Sequence, residues 1–118
     1  MKFVQTDYGN RKEILKFPDH YVNLAVTVDD TGIAQNAHGK KIVPAGTIMG
    51  GGVIVDATQL AVKSNDENAE GVLFNDVDVT YGPAPGALLI HGFIDLAKLP
   101  EPPDEDAVTA LSQITFIA

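Results

Sequence analysis

Two aspartates, three histidines and one glycine run are the residues whose types and spacing admit chemistry. Asp76 and Asp78 stand two apart in "NDVDVT", so on a strand their carboxylates share a side, about 7 Å from each other. That spacing overlaps the gap between acid and base in inverting glycosidases. Catalytic carboxylates must flank a bond, whereas these stand side by side, opposite the face of Leu73, Val77 and Val79. A solubilising surface is therefore the expectation, ahead of a weak cation site. His20, His38 and His91 show neither HxH nor HExxH spacing. His20 and His38 read as loop or strand-edge residues. His91, in "LLIHGFI", falls beside Leu89 and Phe93 on one strand face. A buried or interfacial imidazole satisfied by hydrogen bonds is expected there, since no activated nucleophile accompanies it. "GTIMGGG" (Gly46 to Gly52) resembles a phosphate loop only in its glycines. It lacks the Gly-Lys-Ser/Thr ending and opens no helix, so it reads as a turn. No catalytic constellation results, and the residues call for no cofactor and no metal.

The chain that must position these residues has 118 of them, enough for one domain with a modest core. Hydrophobic residues make up 45% and charged residues 20%, which suits a folded domain and is too apolar for disorder throughout. No apolar run is long enough to span a membrane, and the first residues lack the apolar segment of a secretory signal. With no cysteine there is neither a disulfide frame nor a thiolate metal site. Residues 1–19 carry four basic and three acidic side chains, a balance of +1. The rest carries four basic and thirteen acidic, a balance of −9, and together these give the net −8. An acidic body repels phosphates, which argues against a nucleic-acid partner.

Residues 1–19 show no clean period. Gly9-Asn10 and Pro18 break the cluster of Ile14, Leu15 and Phe17 from its surroundings, and the segment reads as a flexible arm. From Tyr21 the pattern changes: Val22, Leu24, Val26 and Val28 alternate with polar or small residues, predicting a half-buried strand. "KKIVPAGTIMGGG" predicts two short strands around a Pro-Ala-Gly turn, and Leu60 and Val62 suggest another strand before the polar loop "KSNDENAEG". "EGVLFNDVDVTYGPAPGALLIHGFIDL" predicts two longer strands joined by a Gly/Pro turn. Asp104, Glu105 and Asp106 after a proline cluster suit the first turn of a short helix, and "ITFI" closes the chain as a strand.

The strand "ALLIHGFIDL" is apolar on both faces. Leu88, Ile90 and Ile94 share one; Leu89, His91 and Phe93 share the other. In an antiparallel sheet one face normally meets water. Leaving Leu89 and Phe93 exposed would forgo about 1.5–3 kcal/mol each. Either an in-chain sandwich or a second subunit must cover them, and Leu89, His91 and Phe93 form the candidate subunit interface.

"IVPAGTIMGG", "AEGVLFNDVDVTYGPAPGALLIHGFIDLAKLP" and the terminal "ITFI" together resemble the head decoration proteins of tailed bacteriophages, of the lambda type. The likeness runs over residues 40–118, about two thirds of the chain, and Tyr81 departs from it by replacing a small polar turn residue. The resemblance implies a mainly β fold, a small sandwich or barrel-like body (residues 20–118) with one short C-terminal helix, preceded by a flexible N-terminal arm (residues 1–19). It implies a homotrimer on the outer capsid surface of the virion, made in the host cytoplasm, that cements neighbouring copies of the major capsid protein. The arm would pair with capsid strands and insert Phe3, Val4, Ile14, Leu15 and Phe17, with no enzyme activity, cofactor, nucleic acid or membrane involved. The competing expectations are a head-fibre base or host-adhesion module, and a small β-barrel enzyme or ligand-binding protein using Asp76, Asp78 and His91.

Overall fold

The computed structural model describes residues 14–17 and 19–118, and it is mainly β. In chain order the elements are β1 (Val22–Val28), β2 (Ile42–Val43), β3 (Ile48–Gly50), β4 (Leu60–Lys63), β5 (Gly71–Leu73), β6 (Val77–Asp78), β7 (Ala84–Asp95), α1 (Glu105–Ala110) and β8 (Ile114–Ile117). A single 3-10 turn, Leu96–Lys98, follows β7. Neighbours in the main sheet run β1, β4, β3, β5, β7, and β7 pairs back onto β1, so five strands close on themselves. β8 adds to β7 in parallel, and β2 pairs with β6 as a separate ribbon.

Closure explains the alternation in β1. Val28 (β1), Ala61 (β4), Met49 (β3), Leu73 (β5) and Leu88 (β7), one from each strand, meet in a single buried cluster inside the barrel. Leu24 and Val26 pack against that cluster, while Val43 and Val77 from the ribbon, with Val53 and Val79, complete it. An adjacent residue on three of these strands faces outward into a second cluster. Ile48, Val72 and Leu89 lie there under Ile14, Leu15, Ala107, Leu111 and Ile114. Adjacent residues on β3, β5 and β7 thus serve two cores, as the two-residue period of a strand requires. α1 follows Asp104 at its N-cap and carries Glu105 and Asp106 in its first turn, as expected. It buries Ala107 and delivers Leu111 to the outer core while Val108 stays exposed.

Residues 70–79, expected as one strand, form two. β5 belongs to the barrel and β6 to the ribbon, with the chain redirected between them at Phe74–Asp76. The Asp76 carboxylate takes a hydrogen bond from the Ala45 N–H at 2.6 Å, tying that bend to the turn before β3. A carboxylate at this position reads locally as the polar face of a strand, which is why the bend is invisible in the pattern.

The glycine run behaves as a turn, and its amide groups already have an anion. Glu70 accepts from the N–H of Gly52 (2.6 Å), Val53 (3.0 Å) and Ile54 (3.4 Å) through its carboxylate. The backbone donors a phosphate would need are therefore held by the protein's own side chain. Glu70→Ala should leave them short of partners beside buried Val53 and cost about 1–3 kcal/mol, measured as a lower urea midpoint with unchanged slope. A fall of less than a few tenths would show that water replaces the carboxylate.

Candidate functional site

β7 is the spine of the candidate interface residues Leu89, His91 and Phe93. Its twelve residues pair with β1 along Ala84–His91, with β5 at Leu88 and Leu89, and with β8 along Gly92–Asp95. Between Asn23↔Leu89 and Val22↔His91 the register slips, with one step on β1 matched by two on β7. Ile90 is the extra residue, a bulge that bends the strand and resets its facing. Leu89 and Ile94, five apart and so on opposite faces of a regular strand, consequently enter the same outer core.

Two sequence expectations are corrected here. The first is the arm boundary. Ile14 is fully buried, Leu15 is 7% exposed, and both sit in the outer core. Leu15 bridges Ile94 in antiparallel register; the Asp95 N–H donates to the Ile14 carbonyl, and the Lys16 N–H to that of Phe93, both at 2.9 Å. Residues 14–16 are thus a strap on the β7 edge that β1 vacates at the bulge, and Ile14 and Leu15 serve the body rather than a partner. The strap is too short to show alternation, and the flanking breaks at Gly9-Asn10 and Pro18 made it look detached. Phe3 and Val4, the other arm residues expected to meet a capsid, lie outside the described residues.

The second correction concerns the interface triplet. Leu89 is fully buried in this chain's own core, as is Leu88 on the opposite face. The two-faced strand is covered from both sides within one chain, by the barrel interior and by the strap with α1 and β8. It does not by itself demand a second subunit. His91 and Phe93 remain half-buried.

Around them the structure gathers aromatic groups that are distant in sequence. The Phe17 ring meets Phe93 edge-on, with centroids 5.4 Å apart, and His20 lies over Phe93 at 6.0 Å. Tyr21 stacks on Phe74 at 5.2 Å. His20 and His91 face each other with Nε2 atoms 2.9 Å apart. Phe17, Tyr21 and Val22 keep 49%, 43% and 49% of their surface exposed, so the ridge is partly open to solvent. Sequence reasoning missed Tyr21, Phe74 and the histidine pairing. The last joins residues 71 apart and leaves no local trace.

Asp76 and Asp78 lie on the surface, as expected, and are engaged elsewhere than at His91. Asp78 receives both the N–H and the hydroxyl of Thr80. The same Asp-x-Thr turn recurs at Asp29 with Thr31 and at Asp56 with Thr58. Each carboxyl is held below its ordinary range, chiefly by the Thr31 backbone N–H at Asp29 and by the threonine hydroxyl at Asp56 and Asp78. A lowered folded value makes these groups favour the folded state above the ordinary carboxylate range and lose that contribution as pH falls through the lowered values. Thermal midpoints should therefore hold steady between about pH 7 and 5 and decline below about pH 4. The combined Asp29→Asn, Asp56→Asn and Asp78→Asn variant should flatten the decline; an unchanged slope would assign it to other carboxyls. Tyr81 is fully exposed in the turn that follows.

A cleft of about 470 Å³ opens at the other end of the chain's first turn-rich stretch, lined by Ile33, Ile42, Pro44, Met49, Val62 and Pro100 among others. Lys63 and Glu101, 3.2 Å apart, pair at its rim. Comparison of the sequence with protein-family models and with curated proteins finds no match.

Proposed function

We propose that this chain is a phage head decoration protein, which binds the outer capsid surface as a trimer and stabilises the shell by linking major capsid proteins. The quoted motifs over residues 40–118 support the reading, as does a mainly β body. The observation that carries it is the strap. Backbone bonding of residues 14–16 to β7 brings the chain onto the body just before the exposed Phe17, Tyr21 and Val22, and in this reading residues 1–13 reach out from that point.

In this mechanism residues 1–13 supply strand addition to a capsid segment, with Phe3 and Val4 giving fit. Ordering such a segment costs about 2–5 kcal/mol of its gross interaction energy. Three tethered segments on one trimer recover durable attachment because the second and third bind at high effective concentration. The ridge, with half-buried His91 and Phe93, is the surface through which the subunits would meet.

The test is co-sedimentation with expanded phage heads. The intact chain should bind, and a chain beginning at Ile14 should remain folded yet bind about a hundredfold less tightly. Undiminished binding by the shortened chain would remove the arm from the mechanism, and absence of binding by the intact chain would overturn the decoration role.

A further inference from the structure

Among the described residues no three His, Asp or Glu side chains converge on a common point. The His20–His91 pair nonetheless has the geometry of a two-ligand metal site. Its Nε2 atoms are 2.9 Å apart, the rings are inclined at 74°, and their centroids lie 4.9 Å from each other. Two imidazole nitrogens bound to one ion at about 2.0–2.1 Å lie roughly 2.9 Å apart when they subtend a right angle, and roughly 3.4 Å apart at the tetrahedral angle. The observed spacing matches adjacent corners of a square-planar or octahedral shell, the arrangement Cu(II) and Ni(II) adopt with imidazole.

The geometry points to a divalent transition-metal site at His20 and His91, with Cu(II) or Ni(II) preferred over Zn(II) and solvent filling the remaining positions. His20 is exposed, so an ion reaches the pair without any rearrangement of the core. Coordination through both Nε2 atoms leaves each neutral ring with its proton on Nδ1. No proton leaves the protein if the one shared between the two Nε2 atoms moves to Nδ1 of the same ring. The Nδ1 of His91 is buried without a partner. So is Oδ1 of Asn23, an acceptor one residue beyond the β1 partner of His91. A metal-bound histidine characteristically donates its second N–H to such an oxygen. Metallation of His91 through Nε2 would place the remaining ring proton on this buried Nδ1. Because His20 follows the strap and His91 belongs to β7, a bound ion would staple the entry of the chain to its central strand.

Titration of the full-length protein with CuCl₂ or NiCl₂ alone, followed by calorimetry and thermal unfolding, tests the site. One equivalent should bind, and metal at a hundredfold excess over its dissociation constant should raise the unfolding midpoint by on the order of 10 °C. With Cu(II), electron paramagnetic resonance should show coupling to two nitrogens. His20→Gln, a change on the surface, should abolish binding and the midpoint shift, His91→Gln should do the same, and His38→Gln should change neither. Failure of wild type to bind either ion, or undiminished binding by the folded His20→Gln variant, would overturn the proposal.

Discussion

Ile14→Ala should destabilise the folded chain by about 2–5 kcal/mol, a loss typical of truncating a fully buried aliphatic residue. The size is surprising only if the first residues are taken as detached. Ile14 has no exposed surface, and its carbonyl is fixed by Asp95, so its neighbours cannot readily close the space left by the lost carbons. The outer core it enters is also the contact between the barrel wall and α1, where Ala107 and Leu111 lie. Urea unfolding of the variant beside the chain that starts at Ile14 separates body from arm. The variant should shift the midpoint strongly and the shortened chain should not. A variant that unfolds like wild type would return Ile14 to the arm.

Gly71→Val should be nearly as damaging, at the upper end of the roughly 1–3 kcal/mol expected of overpacking or beyond it. A Cβ at Gly71 would lie 2.6 Å from both the Leu88 Cγ and the Leu89 carbonyl oxygen. The Leu88 side chain has no room to move aside because it fills the barrel interior, and the carbonyl is part of the β5–β7 wall. Relief therefore requires the two strands to part. Far-ultraviolet circular dichroism and a thermal melt check this. A midpoint within about 2 °C of wild type would mean that the wall yields more easily than its packing implies.

These two sites mark the limits of what could be read in advance. Val28, Val26 and Leu24 face one closed interior, so β1 carries its alternation openly, and Asp104 declares the start of α1 because exposed helical N–H groups favour a carboxylate there. "ITFI" is likewise the strand it resembles. What stayed hidden depends on pairing between distant segments. Thr27 meets Leu60 and Val28 meets Ala61 in parallel, and this contact between short strands closes the barrel. Nothing near residue 60 announces it. The strap is hidden for the same reason, since its hydrogen bonds are supplied by residues 93–95. Ile90 defeated the face assignment of β7, because one inserted residue moves Leu89 and Ile94 onto a common side. His91 and Phe93, expected on one face of β7, are half-buried there, whereas Leu89 looked available only because the strap above it was unseen.

Asp95 has a consequence for anyone attaching cargo to this protein. Ile14 lies along one edge of it and Ile117 along the other, so the polypeptide enters and leaves the body roughly 9–10 Å apart, two strand spacings across a single residue. A fusion placed after Ala118 would emerge near the point where residue 14 meets β7, and a display scaffold would be better served by the exposed Tyr81 turn. The same proximity means that a short linker could join Ile14 to Ile117 and open the chain elsewhere. During synthesis, too, the strap finds no seat until the ribosome has released the stretch around Asp95, so closure of the fold waits for nearly the whole chain.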